Sequence, residues 1–248
     1  MTLSLAHIWR HPIKALGREL LTSVDLTAGA WMPFDRLWAV AHERAKLTTG
    51  WAKKMNFLRG VTEPGLMAVT ARLDADCATL TLDHPDAGQI SVRPEARADW
   101  PVLADWLSRI WPAELPAPTG IYRADDAHLT DVEGAWLSLH TLASHTAVEA
   151  VLDRELSIHR WRGNLWLDGA EAWAEKDWIG RHLRLGTAVL EVKVEITRCK
   201  ATMANPATGQ RDADTLGALR SLGHQEFGVY AEVVESGKIA LGDRATLL

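Results

Sequence analysis

The residues of this chain best able to form a covalent bond or hold a soft metal are its two thiols, Cys77 and Cys199. Cys199 follows Glu191-Val192-Lys193-Val194-Glu195-Ile196-Thr197, in which Val192, Val194 and Ile196 alternate with charged or polar neighbours. That is the period of a strand with one buried and one polar face. Continued, it puts Cys199 on the polar face between Arg198 and Lys200, a cationic setting that favours the thiolate, the form that attacks electrophiles and binds soft metals. A bulge would reverse the face, and a buried structural cysteine is the competing reading. Cys77 sits in Asp74-Ala75-Asp76-Cys77, where the carboxylates work against the thiolate. The run Asn205-Pro206-Ala207-Thr208-Gly209 beyond Cys199 reads as a turn.

Other chemistries find less support. His7 and His11 fall on a predicted strand, where positions i and i+4 lie far apart along one face, and His140 and His145 offer no identifiable third ligand for zinc. There is no nucleophile elbow for Ser-His-Asp hydrolysis, no four-cysteine run for an iron-sulfur cluster, and no glycine-rich dinucleotide fingerprint after a predicted strand. A redox function would therefore draw its electrons from another protein. Trp161 and Trp166 flank Arg162 and Asn164 and are the tryptophans placed to line a ligand pocket; the others read as core pieces whose indole N–H groups need partners.

The elements that must position these residues are mostly short strands. Segments 3–9, 20–26, 36–42, 66–73, 79–82 and 89–92 are rich in β-favouring residues and punctuated by Gly, Pro and Asp, which predicts a small antiparallel barrel or sandwich. From 99 to 111 the apolar residues take helical spacing, with Asp99 as N-cap and Pro101 in the first turn. Pro112, Pro116 and Pro118 mark a connector, and the domain boundary is placed near Gly120, dividing the chain into 1–118 and 119–248. The second half predicts strands at 135–140, 162–167, 182–185, 188–199, 227–234 and 238–245. It also predicts a helix over 145–152 capped by Ser144, a helical turn at 172–178 and a helix at 212–222. The fold class is mainly β (α+β), two β domains with short flanking helices.

A chain of 248 residues with 47% hydrophobic content can build a substantial core. A net charge of -5 argues against a surface that neutralises nucleic-acid phosphates, while leaving room for a local basic pocket. Two cysteines cannot make a disulfide framework, and the start shows no sustained apolar run, so a cytoplasmic protein without a membrane anchor is expected.

Thr197-Arg198-Cys199 followed by Asn205-Pro206-Ala207-Thr208-Gly209, with Arg162-Gly163-Asn164-Leu165 upstream and Phe227-Gly228-Val229-Tyr230 and Ile239-Ala240-Leu241-Gly242-Asp243 downstream, resembles the MOSC domain, named for the C-terminal domain of molybdenum cofactor sulfurases. His11-Pro12-Ile13-Lys14 and Asp35-Arg36 resemble the β-barrel domain that precedes MOSC in many such proteins, so the likeness spans nearly the whole chain. The resemblance implies the molybdenum cofactor (molybdopterin), with Lys14, Arg36, Arg162, Asn164 and Thr197 as pterin-binding candidates and Cys199 as catalytic residue. In sulfurases that cysteine is thought to carry a persulfide; in amidoxime-reducing relatives it ligates molybdenum. Lys14 is followed by Ala15-Leu16, where cofactor-binding relatives usually carry a serine and a further polar or basic residue. The aminotransferase-like desulfurase domain of full sulfurases is missing from the sequence. Three functions follow: a reductase of small N-hydroxylated compounds fed by an external electron-donor protein, a sulfur carrier served by a sulfur-donor protein, or a binding module with an inert Cys199.

Overall fold

The computed structural model describes residues 2–248, and among them fifteen strands and three α-helices form two β-rich bodies, each around its own apolar core. The first half supplies β1 (Ser4–Arg10), β2 (Glu19–Leu21), β3 (Ser23–Leu26), β4 (Trp38–His42), β5 (Thr70–Leu73), β6 (Leu80–His84), β7 (Gly88–Val92), α1 (Trp100–Leu107) and β8 (Pro118–Arg123). The second half supplies β9 (Trp136–Thr141), α2 (Leu142–Leu152), β10 (Leu165–Asp168), β11 (His182–Leu185), β12 (Ala188–Thr197), α3 (Thr215–Ser221), β13 (Glu226–Glu235), β14 (Gly237–Ala240) and β15 (Ala245–Leu247).

The larger sheet runs β15-β11-β12-β13-β9-β10-β1-β2. It closes on itself, because β1 also meets the approach to β15: Ala245 N donates to Leu3 O and Leu5 N to Asp243 O, both at 2.9 Å. Leu5, Ile8, Leu139, Leu165, Leu190 and Val229 fill the interior. A register shift between Leu5 and His7 lets Leu5 and Ile8, three residues apart, both point inward. The first strand of the chain is thus a stave of the barrel built mainly by the second half. The other body comprises β5-β6-β7, the β4-β8 pair and α1, around Trp38, Leu58, Leu66, Leu80, Leu103 and Trp106. The expected boundary near Gly120 lies within β8, which pairs with β4 through Ala41 and Gly120.

Several local expectations shift for identifiable reasons. Over 66–73 only Thr70–Leu73 is strand; Pro64–Ala68 is a 3-10 turn, with Pro64 at its start and Glu63 Oε1 accepting from Gly65 N at 2.8 Å. Asp99 does not cap α1, since Arg93 holds its carboxylate at 2.8 Å. The second helix starts three residues early because Thr141, not Ser144, is the cap, its hydroxyl accepting from Ser144 N at 3.3 Å. The strand expected from Arg162 begins only at Leu165, and Val194 is 46% exposed because register shifts on either side of Glu195 break the alternation of β12. Trp161 and Trp166 are core residues, each 1% exposed, so neither lines a ligand pocket.

Glu175 is fully buried: Oε2 accepts from Ser144 Oγ at 2.9 Å and Thr141 Oγ1 at 3.0 Å, while Oε1 meets no donor among the described residues. Burial raises its pKa above the ordinary 4.5. The folded state therefore holds this proton more tightly than the unfolded chain, so the group's contribution to stability is greatest below pH 4.5 and falls as pH rises through the raised value. Glu175→Gln should lose less stability than the parent between pH 4.5 and neutrality. Melting temperatures of both proteins across that range provide the check, and parallel curves would contradict it.

Candidate functional site

The site is built around Arg162, whose backbone is left-handed (φ 50°) at the end of the 3-10 turn Ile158–Trp161. Two other guanidinium groups hold it there. Arg198 Nη1 donates to Trp161 O, on the peptide entering Arg162, at 2.9 Å, and Arg36 Nη2 donates to Arg162 O at 2.8 Å. So held, Arg162 places its Nη2 in the interior with no hydrogen-bond partner among the described residues. Burial and then the charge of Arg36 lower its pKa from 12.5 to about 9. A buried, unpartnered cationic donor is unstable unless something anionic meets it.

Arg36, which contacts it, shares this character. Arg36 and Arg162 are two of the seven described non-glycine residues with positive φ, each such residue costing about 1–3 kcal/mol when the surrounding structure imposes it. The Trp9 indole N–H and His11 Nδ1 are also buried without a partner among the described residues. Burial, then Arg36 and Arg162, hold His11 well below its ordinary value and therefore neutral, with Asp35 Oδ1 3.5 Å from Nδ1. Trp9 meets His159 edge-on at 4.2 Å, and burial, then Arg18, lower His159 to about 4. Asp35 is buried but stays ionised, because Arg36 and His11 outweigh the desolvation that opposes its charge.

The sequence-predicted residues divide accordingly. Arg36, Arg162 and Asn164 are in direct contact. Asn164 Oδ1 accepts from Arg36 Nη1 (3.1 Å), Ser138 N (3.1 Å) and Ser138 Oγ (3.0 Å), and its Nδ2 donates to Trp9 O (3.0 Å). Its amide joins β1, β9 and Arg36, leaving it better suited to hold the pocket than to touch a ligand. Lys14 is 6% exposed and donates to Leu129 O at 2.9 Å and to Asp131, whose other oxygen lies 3.5 Å from Lys54 Nζ. Its charge is thus already matched. The Thr197 hydroxyl donates across the ladder to Glu226 Oε1 at 3.3 Å.

Cys199 lies just beyond β12, in extended backbone, and its side of the chain is exposed. The guanidinium of Arg198, expected beside the thiol, turns inward instead: Nε and Nη2 both donate to Phe227 O, at 2.9 and 2.6 Å. The loop after Cys199 is tied to both bodies. Arg18 Nη2 donates to Pro206 O (3.0 Å), Arg211 Nη2 to Val61 O (2.8 Å) and Arg160 Nη2 to Asp212 Oδ1 (2.5 Å). Trp9, Arg18, Asp131, Ser138 and His159 escaped sequence reasoning, since only long-range pairing brings them to the motif residues. A separate cleft of about 590 Å³, lined by Trp38, Glu95, Trp100 and Arg123, contains none of the site residues, and its Arg123 is paired with Glu95 at 3.0 Å.

In a fold of two packed β bodies, a cluster of cationic side chains is thus linked through Arg198 to an exposed thiol. The MOSC domain model matches residues 126–246 and the MOSC N-terminal beta barrel domain model residues 2–109, and the chain belongs to this family. It is 24% identical over 238 residues to "Mitochondrial amidoxime-reducing component 1" of Danio rerio, covering 84% of this chain and 73% of that protein. Among solved structures it is similar to the YUAD protein of Bacillus subtilis (TM-score 0.49, 12% identity, 100% of this chain and 96% of that one). It is also similar to YiiM of Geobacillus stearothermophilus (TM-score 0.36, 20% identity, 45% and 53%).

Two substitutions test the electrostatics. Arg162→Gln removes a buried unpaired cation beside Arg36, so the melting temperature should rise while binding of inorganic phosphate is lost. Asp131→Asn unpairs buried Lys14, so stability should fall while phosphate binds roughly tenfold tighter, the equivalent of about 1.4 kcal/mol. Calorimetric titration with phosphate and thermal melts of each variant measure both quantities.

Proposed function

We propose that this protein holds the molybdenum cofactor and reduces small N-hydroxylated compounds with electrons from a partner protein, with Cys199 as the protein's ligand to the metal. The observation that carries the reading is the buried Arg162 Nη2 without a partner among the described residues. A pterin ending in a phosphate fits it, since Arg's planar fork suits phosphate oxygens and the Trp9 N–H adds a second open donor. Arg36 and Asn164 would hold that pocket in shape, and Lys14 would reach the ligand only by releasing Asp131. The role of Thr197 would be to fix the end of β12 ahead of the cysteine.

Among the described residues no three His, Cys, Asp or Glu side chains gather as a metal site. The metal's remaining ligands would therefore come with the cofactor, as a dithiolene does, and Cys199 would add the soft thiolate. Bound there, the cofactor supplies two-electron redox chemistry. Reduction of an N-hydroxylated compound consumes two electrons and two protons and releases water. The sequence offers no flavin, nicotinamide or iron-sulfur motif to deliver those electrons. A donor protein would supply them, and the name of the Danio rerio relative supports an amidoxime-type substrate. Among the described residues no helix is long and apolar enough to cross a membrane. We place the protein in the cytoplasm on the strength of its two unbridged cysteines.

The exposure of Cys199 favours one other reading, a carrier whose thiol bears a persulfide supplied by a sulfur-donor protein. Expressed in a host that makes the cofactor, the parent should contain molybdenum. Cys199→Ala and Arg162→Glu should lose it while melting close to the parent. NADH with an N-hydroxylated substrate should give no turnover until a donor protein or reduced viologen is added. A metal-free parent carrying the extra mass of one sulfur atom, lost on reduction, would replace the reductase with the carrier.

A further inference from the structure

We infer that Arg198 is a positioning residue that sets Arg162 against Cys199, an inference resting on the assignment of those two residues to one site. Arg198 is joined covalently to Cys199 on one side. Through its guanidinium it holds the peptide that enters Arg162 and the carbonyl of Phe227, so three segments distant in sequence meet on one planar group. One N–H goes to Trp161 O at 2.9 Å, and two go to Phe227 O at 2.9 and 2.6 Å. The fork lies 5.8 Å from the ring centres of both Trp161 and Phe227, which themselves stack at 3.8 Å. Its Nη2 is also 3.4 Å from His140 Nε2. Arginine can only donate there, so His140 Nε2 can take part in that contact only as an acceptor.

The glycines of the two flanking motifs serve this assembly. A Cβ at Gly163 or at Gly228 would run into the His140 ring, which lies 4.8 Å from Trp166 and 5.5 Å from Phe227, centre to centre. Glycine at these positions lets the ring sit under Arg198 and lets the chain on either side approach it. A lysine has one compact ammonium and cannot reproduce contacts to two carbonyls in one plane. Arg198→Lys therefore keeps the charge and removes the geometry.

The test uses Cys199 alkylation on full-length, cofactor-free protein in a Cys77→Ser background, comparing iodoacetate with iodoacetamide. Both reagents sense the exposure and ionisation of the thiol equally, so their rate ratio reports the nearby positive charge. Arg162→Gln should lower the ratio several-fold. Arg198→Lys should lower it to the Arg162→Gln value at unchanged net charge. Should Arg198→Lys fold poorly, millimolar methylguanidinium added to Arg198→Ala should restore the parental ratio. A folded Arg198→Lys with the parental ratio, a parent indistinguishable from Arg162→Gln, or failure of methylguanidinium to rescue would overturn the inference. Because the ratio is read without the cofactor, a parent that binds no molybdenum leaves it unaffected, and failure of the reductase reading is recognised separately by metal content.

Discussion

One constraint shapes this site: Arg162 is forced into a left-handed backbone and its Nη2 is buried within reach of the charge of Arg36. Both features are unfavourable alone. They persist because the peptides on either side are hydrogen-bonded to charged donors, Arg198 before and Arg36 after, and charge-assisted bonds of this kind are about twice as strong as neutral ones. The surrounding barrel supplies the rest of the stabilisation through apolar burial. Trp161, Trp166 and Phe227 are each 1% exposed or less, and burying side chains of this class contributes about 1.5–3 kcal/mol each. Backbone strain of this kind persists only where the surrounding structure over-determines it.

The charges are arranged so that few cations remain available. Asp35 answers Arg36, Asp131 answers Lys14 and Lys54, and Asp212 answers Arg154 and Arg160. Arg198 is committed to backbone carbonyls. Against this background Arg162 Nη2 is a buried guanidinium nitrogen without a hydrogen-bond partner among the described residues. A net charge of -5 is compatible with a local cluster of cations such as Arg36, Arg162 and Arg198.

The two bodies are interlocked at the site. The loop following Cys199 is fastened to the first body by Arg18 and Arg211, and a Cβ at Gly209 would collide with the backbone of Gly65. In the other direction, β1 enters the second body as a barrel stave and brings Trp9 and His11 to the pocket. The thiol and the anion donor therefore depend on contacts from both halves of the chain.

The sequence by itself determined the strand-rich character, the short helices and the local motifs, because alternation, glycine, proline and capping residues act over a few positions. Cys199 was legible as an accessible thiol at the end of a polar-faced strand, and Arg162 and Asn164 were legible as a motif. Only the tertiary structure decided their roles. The direction of Arg198 depends on carbonyls of Trp161 and Phe227, 37 and 29 residues away. The neutralisation of Lys14 depends on Asp131, 117 residues away. Val194, which alternation buried, is exposed because a bulge in β12 is set by its pairing with β13. Local periodicity carries no information about which distant carbonyl or carboxylate will meet a long cationic side chain, since that is settled when the barrel closes.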